Sequence, residues 1–598
     1  MYKTTFTNTS FARGEISPHL LARGDFAEFR NSAMRLKNFR VMSTGGIVRR
    51  PGTVFVAKLD GPGRLVSFNH SPGNEFILVF GNARISIYNL AGRLVDTLAS
   101  PFMEEHFPRI CSAQKGDELY LTHPDVPPRI IAFSPVGGKW SIRAWVFKNI
   151  PRDYFGNDPD DKNEIPKPPP PSGGGNGGGD NGGGGGGPIV IGRSFSAEPA
   201  FSSVRGWPTS CTFHQDRLVI GGSKSLPNRI WFSKTGDYLN FDLGEGLDDE
   251  AIEFNMLSDR MNDISTVFAG KHLQVFTSDS EWIVAGQPLT PTSVALREQT
   301  KVGSSIKRLI KPSLVEGSTI FVSKNGREIR EFFYGETEGG YRSDDLIILS
   351  GHLMSDPVEQ DYDIAERILY VVQGDGSIAA LSLNRTMGIS AWYRYETDGE
   401  FAGLSISAGR VFFIVRRGGD YFLEHFSDDV GSDCSKIETF GKPVDFMDGL
   451  GHLEGREVVV NADGYVEESV VKDGRVKLSH PARTIAVGLP YSHTYCPLPA
   501  FIGRARPPRM TRLVELVVRV FETPLLSIDT GRGIRNYTGE RLDSAGILDA
   551  PLSSLTGDIR VRASGFIRNY DVPLYRIEGR LPLPVHILSI TQTVGSVR

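Results

Sequence analysis

Glu75-Phe-Ile-Leu-Val-Phe-Gly-Asn-Ala-Arg-Ile-Ser-Ile-Tyr88 sets two short β-branched or aromatic runs around a Gly81-Asn82 turn. Side chains that alternate between two faces, with a turn dipeptide between the runs, form an antiparallel hairpin. The same design returns at 117–133, 216–232, 271–284, 318–333, 367–383 and 409–426. The interval, roughly 40 to 55 residues outside one Gly-rich insertion, is close to the length of a four-stranded propeller blade. The chain therefore reads as mainly β, built on a β-propeller of about six or seven blades, with an array of sandwiches as the structural alternative.

Upstream of the hairpins, residues 11–40 carry the clearest helical pattern. Asp25 can cap, Glu28 stands three positions later, and Phe26, Phe29, Ala33 and Leu36 recur at helical spacing, which predicts an amphipathic helix from near Asp25. Thr44-Gly45-Gly46 and Arg49-Arg50-Pro51-Gly52 then break the pattern and open a turn. Beyond about residue 437 the strands lengthen, as in Glu457-Val-Val-Val460, Thr484-Ile-Ala-Val487 and Arg512-Leu-Val-Glu-Leu-Val-Val-Arg-Val520, and point to a separate β-sandwich or barrel-like platform. Three domains result: an N-terminal helix and platform segment over 1–60, the propeller over 61–436, and a C-terminal β platform over 437–598. Within the propeller, 152–192 is an insertion centred on the Pro/Gly tract 166–188, whose prolines favour an extended spacer and whose glycines favour a flexible coil. Folding is expected not to need that tract.

At 598 residues the chain is larger than a single hydrophobic core fills. Its 66 Lys and Arg against 70 Asp and Glu leave a net charge of -4, which predicts no global attraction to nucleic acid, so any contact with DNA is local or weak. Cys111, Cys211, Cys434 and Cys496 stand too far apart for a C-x-x-C pair or a disulfide framework, which fits synthesis in the cytosol. No apolar run reaches the roughly 20 residues that span a bilayer, and no signal-peptide pattern follows the first residues.

Several clusters invite chemical readings. Asp248-Asp249-Glu250 with Glu253 resembles a hard-cation site in composition, but the alternating ligands and mid-loop glycine of a calcium loop are missing, which leaves a solvated acidic loop. His452 with Glu454, and His70 with His123, sit in no acid-base motif. G-x-S-x-G, H-E-x-x-H and a phosphate-binding glycine loop are all absent from the sequence. Basic residues gather at Arg49-Arg50 and at Arg504, Arg506, Arg509 and Arg512, where they can touch phosphates or pair with acidic groups across subunits. The reading is a chain with no catalytic residue, no cofactor and no metal.

A set of ordered segments carries a resemblance. Phe11-Ala-Arg-Gly-Glu-Ile-Ser-Pro18, Arg23-Gly-Asp25, Leu36-Lys-Asn38, Gly45-Gly46 and Arg49-Arg-Pro-Gly-Thr53 open the chain. Phe213-His-Gln-Asp-Arg-Leu218, Asn240-Phe241, Asp248-Asp-Glu-Ala-Ile252, Ser280-Glu-Trp282, Leu289-Thr-Pro291 and Gly303-Ser304 follow. Arg327-Glu-Ile-Arg-Glu331, Asp344-Asp-Leu346, His352-Leu353, Gly374-Asp-Gly376, Ala391-Trp392 and Tyr421-Phe-Leu-Glu424 complete the series. Taken in this order they resemble the tail nozzle, or tail tubular protein B, family of short-tailed bacteriophages. The Pro/Gly tract departs from that pattern.

The resemblance implies a non-enzymatic structural subunit of the virion tail, assembled in the host cytoplasm. In that family, copies form a homo-oligomeric, usually hexameric, ring below the portal and its adaptor, with tail fibre or spike proteins attached nearby and double-stranded DNA passing through. Candidate adaptor or subunit contacts are then Arg13, Glu15, Arg23, Asp25, Arg49, Arg50, Arg504, Arg506 and Arg509, and the tract with Pro168, Gly173, Asp180 and Gly187 becomes a channel-mouth loop. A slightly acidic conduit suits passage, since each phosphate paired with a cation would hold the genome back. The rival class is a propeller that binds or degrades host polysaccharide, and the third is a generic propeller scaffold.

Overall fold

The structure, a computed structural model, describes residues 2–21, 23, 25, 27–153, 155, 197–256, 262–337, 339–500, 510–538, 552–563 and 572–597. Strands that are neighbours in sequence pair with each other, because tight turns make local antiparallel pairing the quickest way to satisfy backbone groups. In the hairpin at 75–88, Phe76 pairs with Asn89 and Phe80 with Ile85, and Gly81 pairs with Arg84, so the turn itself falls on Asn82 and Ala83.

Five four-stranded antiparallel sheets in chain order, at 64–99, 111–144, 210–255, 264–300 and 313–345, and the four antiparallel strands at 357–395 that open a larger sheet, form blades one to six of a β-propeller. Blade seven takes three strands from 400–427 and its outermost strand from Gly52–Leu59, with Tyr421 opposite Leu59 and Ser427 opposite Gly52. The ring therefore closes with a strand donated from the far end of the chain. Closure is completed where Ser407 donates to Asn69 Oδ1 at 2.7 Å, joining blade seven to blade one.

Alternation explains why blade strands are buried on both faces. In Asn74–Gly81, Ile77 and Val79 enter the core shared with blade seven, whereas Phe76, Leu78 and Phe80 enter the core shared with blade two. The same sorting yields apolar clusters between blades two and three around Trp231, three and four around Phe232, four and five around Phe276, and five and six around Leu369. Stacked apolar faces of this kind supply most of the drive to fold.

The platform is built from both ends of the chain. Tyr2–Asn8 pairs along His586–Val597, which also pairs with Met510–Thr523 and, at His586 and Ile587, with Ile47–Arg49. A second layer runs on from blade six: Gly14–Glu15 and Ser32–Lys37 pair in parallel with the blade's last strand and lead to His493–Pro497, Arg576–Gly579 and Leu525–Asp529. Leu516, Val518, Ile528, Ile577 and Tyr393 share one core, so platform and propeller are one packed body at this seam. Residues 433–489 form a further small β unit around Val460, Ile485 and Val487.

The helix expected from Asp25 is not formed. Ala27–Asn31 is a short 3-10 turn and Ser32–Lys37 is a strand. Its antiparallel partner slips by one residue between Ala33, opposite Pro497, and Arg35, opposite Cys496, so Met34 is a bulge. One extra residue puts Ala33 and Leu36 on the same buried face, and a bulged strand thereby imitates helical spacing. Phe26 lies outside the described residues.

The insertion leaves the propeller at a pinned stem. Arg152–Asp153 pairs with Glu198–Pro199, and Asp153 accepts an ion pair from Arg229 at 2.8 Å. Replacing 158–194 by about eight Gly/Ser residues is expected to leave the fold intact and to stabilise it by at most about 1 kcal/mol, the gain from closing a shorter loop. Insoluble protein, or a lower urea midpoint, would contradict this.

Candidate functional site

Two adjacent arginines that the sequence offers to partners are taken up by the chain itself. Arg50 and Asp433 have side chains 0% and 0% exposed, and they pair at 2.6 Å. Pro51 fixes the local backbone so that Arg50 points into the junction of blades six and seven, the 430–435 connection and the platform. All five guanidinium protons are used: Nη1 and Nη2 donate to the Asp433 oxygens at 2.9 and 2.6 Å, Nε donates to Asn38 Oδ1 at 2.9 Å, and the Pro51 and Glu396 carbonyls accept the other two. Burial alone would push the Asp433 carboxyl up, yet Arg50, with Arg417 behind it, holds it below the usual carboxylate range.

Around this pair the same logic repeats. The Tyr491 ring lies 3.6 Å from the Arg50 guanidinium and 4.0 Å from that of Arg49, and its hydroxyl donates to the Arg50 carbonyl. Arg49 donates to Gly431 O at 2.7 Å and to His493 Nδ1 at 3.2 Å. Burial, then Arg49, hold His493 well below its ordinary range, so the ring is neutral and can accept. Next to it Arg417 and Glu424 form a second buried pair at 3.0 Å, with Thr53 donating to Glu424.

The seam with blade six is equally tight. Glu15, 7% exposed, accepts Leu36 N–H at 2.7 Å and lies 2.9 Å from His352 Nε2, while Ser350 Oγ donates to its carbonyl at 2.6 Å. Gly14 pairs with Trp392 in a left-handed conformation that a side chain would disturb.

Other segments quoted for the resemblance also turn out to be each other's partners. Arg217 caps the loop of Asp248 and Glu250 through their carbonyls, Leu289 N–H reaches Gln215 Oε1, and Glu281 accepts Gly303 N–H at 2.7 Å. The Leu289–Gln215 contact joins blades three and four, and the others brace blades three and four from within. The acidic loop is thus a capping device: Glu250 Oε2 accepts Gly246 and Leu247 N–H at 2.6 and 2.8 Å.

Glu281 offers a test of one such clasp. It is buried without an ion pair among the described residues, accepts from Thr300, Val302 and Gly303, and burial raises its pKa. A raised folded value means that stability falls as pH rises from the unfolded value through the folded one. Glu281→Gln is expected to remove that slope, whereas Glu281→Ala, which orphans two backbone donors, is expected to cost about 2 kcal/mol or more. Urea denaturation across pH measures both; an unchanged slope in the glutamine variant would refute the assignment.

The propeller axis holds a cavity of about 360 Å³ lined by Arg64, Lys311, Glu359 and Asp361 among others. Burial raises both carboxyls, and both serve as acceptors: Leu404 N–H donates to Glu359 at 3.0 Å and Ile406 N–H to Asp361 at 2.8 Å, tying blade seven to blade six. Arg64 lies 3.5 Å from Glu359 and also donates to the carbonyls of Phe107 and Leu309.

The remaining candidates are scattered. Arg23 and Asp25 pair with each other at 3.0 Å on an exposed turn, and Arg13 stands 3.8 Å from Glu28. His452 stacks on Phe55 with centroids 4.0 Å apart, Glu454 accepts the N–H groups of Asp473 and Gly474, His70 stands 3.7 Å from Asp117, and burial with His106 nearby pushes His123 down to about 3. Arg504, Arg506, Arg509, Pro168, Gly173, Asp180 and Gly187 lie outside the described residues. Among the described residues no group of three or more His, Cys, Asp or Glu could hold a metal ion, and no helix is long and apolar enough to cross a membrane.

No family model and no curated protein matches the chain. Among solved structures, the RRP9 WD40 repeats align with 63% of this chain and 99% of theirs at 7% identity and a TM-score of 0.36. The Pan2 WD40 domain of Neurospora crassa aligns with 63% and 95% at 9% identity and 0.32, and BamB from Moraxella catarrhalis with 64% and 98% at 10% and 0.31. The propeller assignment stands on the seven sheets of the chain itself.

Proposed function

We propose that the chain is a structural subunit of a short-tailed phage nozzle, repeated as a closed, hexameric ring that attaches beneath the portal-adaptor and conducts viral DNA during ejection. The observation that carries the reading is that segments of the nozzle resemblance meet one another: Asn38 with Arg50 and Thr53 with Glu424 at the junction, Glu15 with Leu36 and His352 at the blade-six seam, and Gln215 with Leu289 between blades three and four. Residues shared with a family for its architecture are residues that hold architecture. In this reading the chain is not an enzyme: the carboxylates of the axial cavity serve the propeller's own backbone, and the adaptor is met by the exposed turn at Arg23 and Asp25. Cyclic symmetry then builds a tube from one repeated contact.

Removing residues 1–50 would strip strands from both platform layers, so it cannot separate misfolding from failed attachment. The double substitution Arg23→Ala with Asp25→Ala touches only an exposed pair. Electron microscopy of particles carrying a label on this chain should show it at the tail, and adaptor-bearing heads should recruit the double variant less well. Particles without label at the tail, together with a purified monomer that depolymerises host polysaccharide, would overturn the reading.

A further inference from the structure

The axial cavity has polar groups to spare. The hydroxyls of Ser67, Ser112, Ser313 and Ser405, from blades one, two, five and seven, line it without a protein partner among the described residues, whereas the Lys311 ammonium acts on Asp361. Ser313 and Ser405 are only 8% and 6% exposed. Gln360, 4% exposed, donates through Nε2 to the Lys311 and Ile320 carbonyls at 3.2 and 2.9 Å, while its Oε1 is left unmatched. That oxygen is closed off from the cavity, so what a guest can meet is the serine hydroxyls, which are costly to leave unmatched where they are buried.

Charge and shape narrow what can enter. Arg64 and Lys311 balance Glu359 and Asp361, so the wall is polar without favouring a charged guest. Phe268, Leu314 and Tyr362 add apolar surface. The volume is at the small end of ligand pockets, which run from about 300 to 1,000 Å³.

We propose that the cavity binds a neutral, hydroxyl-rich ligand of one or two rings, a mono- or disaccharide. Sugar hydroxyls donate and accept in turn, which suits serine hydroxyls presented by four blades, and the C–H face of a pyranose packs on aromatic rings. No bond is made or broken. The inference is independent of the nozzle reading: a tail protein that binds no sugar would leave that reading standing, and a sugar binder absent from tails would leave this one.

The test is calorimetric titration of the purified full-length chain with neutral hexoses, N-acetylhexosamines and their disaccharides, with glucuronate as the charged comparison. At least one neutral sugar should bind, more tightly than glucuronate. Ser405→Ala, which removes a buried hydroxyl from the cavity wall, and Ser67→Leu, which fills the cavity from a half-buried wall position, should each weaken binding about tenfold or more. Should Ser405→Ala fail to fold, Ser67→Leu with an unchanged melting temperature decides. Three results overturn the proposal: no neutral sugar binds, glucuronate alone binds, or the folded variants bind as the parent does.

Discussion

Arg50→Met is expected to lower the stability of the folded chain by about 3–5 kcal/mol, the usual consequence of leaving one partner of a buried ion pair uncompensated. The substitution keeps an apolar stem of similar length, so the loss falls on charge and hydrogen bonding. Asp433 would lose two of its charge-assisted bonds and keep the one from Thr397 Oγ1 at 2.7 Å. Asn38 Oδ1 would lose one of its two donors and keep Glu396 N–H at 2.9 Å. Urea denaturation of the purified chain at neutral pH reads the effect, and a change under about 1 kcal/mol would mean that water reaches the junction.

The pH dependence of the same variant is the sharper readout, because its sign should reverse. With Arg50 present, the Asp433 folded value lies below the unfolded one, so its contribution is full above the unfolded value and is lost as pH falls through the folded value. Without Arg50, burial governs and the folded value rises above the unfolded one. Stability at this site should then increase as pH falls through the same acidic window. Parallel pH profiles for parent and variant would sink the account. A companion pair, Arg50→Met with Asp433→Leu, should cost less than the sum of its single substitutions, since the second change removes the stranded charge.

What the sequence disclosed follows contact order. Blade hairpins pair residues close in sequence, so alternation around turns was enough to recover blades one to six. Blade seven needs Gly52–Leu59 against Asp420–Ser427, a pairing across more than half the chain that no local pattern announces. The platform is harder still, since its edge joins Tyr2 to Ser596. The bulge at Met34 turned a strand into an apparent helix because apolar spacing reports which face a side chain occupies and is blind to how the backbone brings it there.

The burial of Arg49 and Arg50 escaped the sequence for a related reason. Charge suggests surface, and Arg49 and Arg50 read as residues for a partner because nothing nearby in sequence could neutralise them. Their partners are Asp433, Tyr491 and His493, all more than 380 positions away. A usable hint was present in Pro51, which separates the strand ending at Arg49 from the one starting at Gly52. The four serines of the axial cavity carried no signal, because Ser67, Ser112, Ser313 and Ser405 converge only when the ring closes.

Gly14→Ala should be the most damaging single methyl in the chain's opening segment, with an expected loss of at least about 3 kcal/mol. Two costs coincide at this residue. Its φ of +65° is a conformation that L residues adopt at a penalty of about 1–2 kcal/mol. The added Cβ would also lie 2.1 Å from Trp392 O and 2.6 Å from Trp392 N, both backbone atoms of blade six's last strand, which is hydrogen-bonded on both sides and cannot swing aside. The parallel bridge to Trp392 would have to open, and with it the approach of Glu15 to His352. Gly73→Ala separates the two costs: its φ is +85° and nothing lies within 4 Å, so only the backbone penalty, about 1–2 kcal/mol, should appear. Hydrogen exchange should report faster opening of Ser32–Lys37 and Tyr2–Asn8 in the Gly14 variant and no change there in the Gly73 variant. Equal losses in the two variants would show that the seam between platform and blade six is softer than its packing indicates, and that the propeller folds without it.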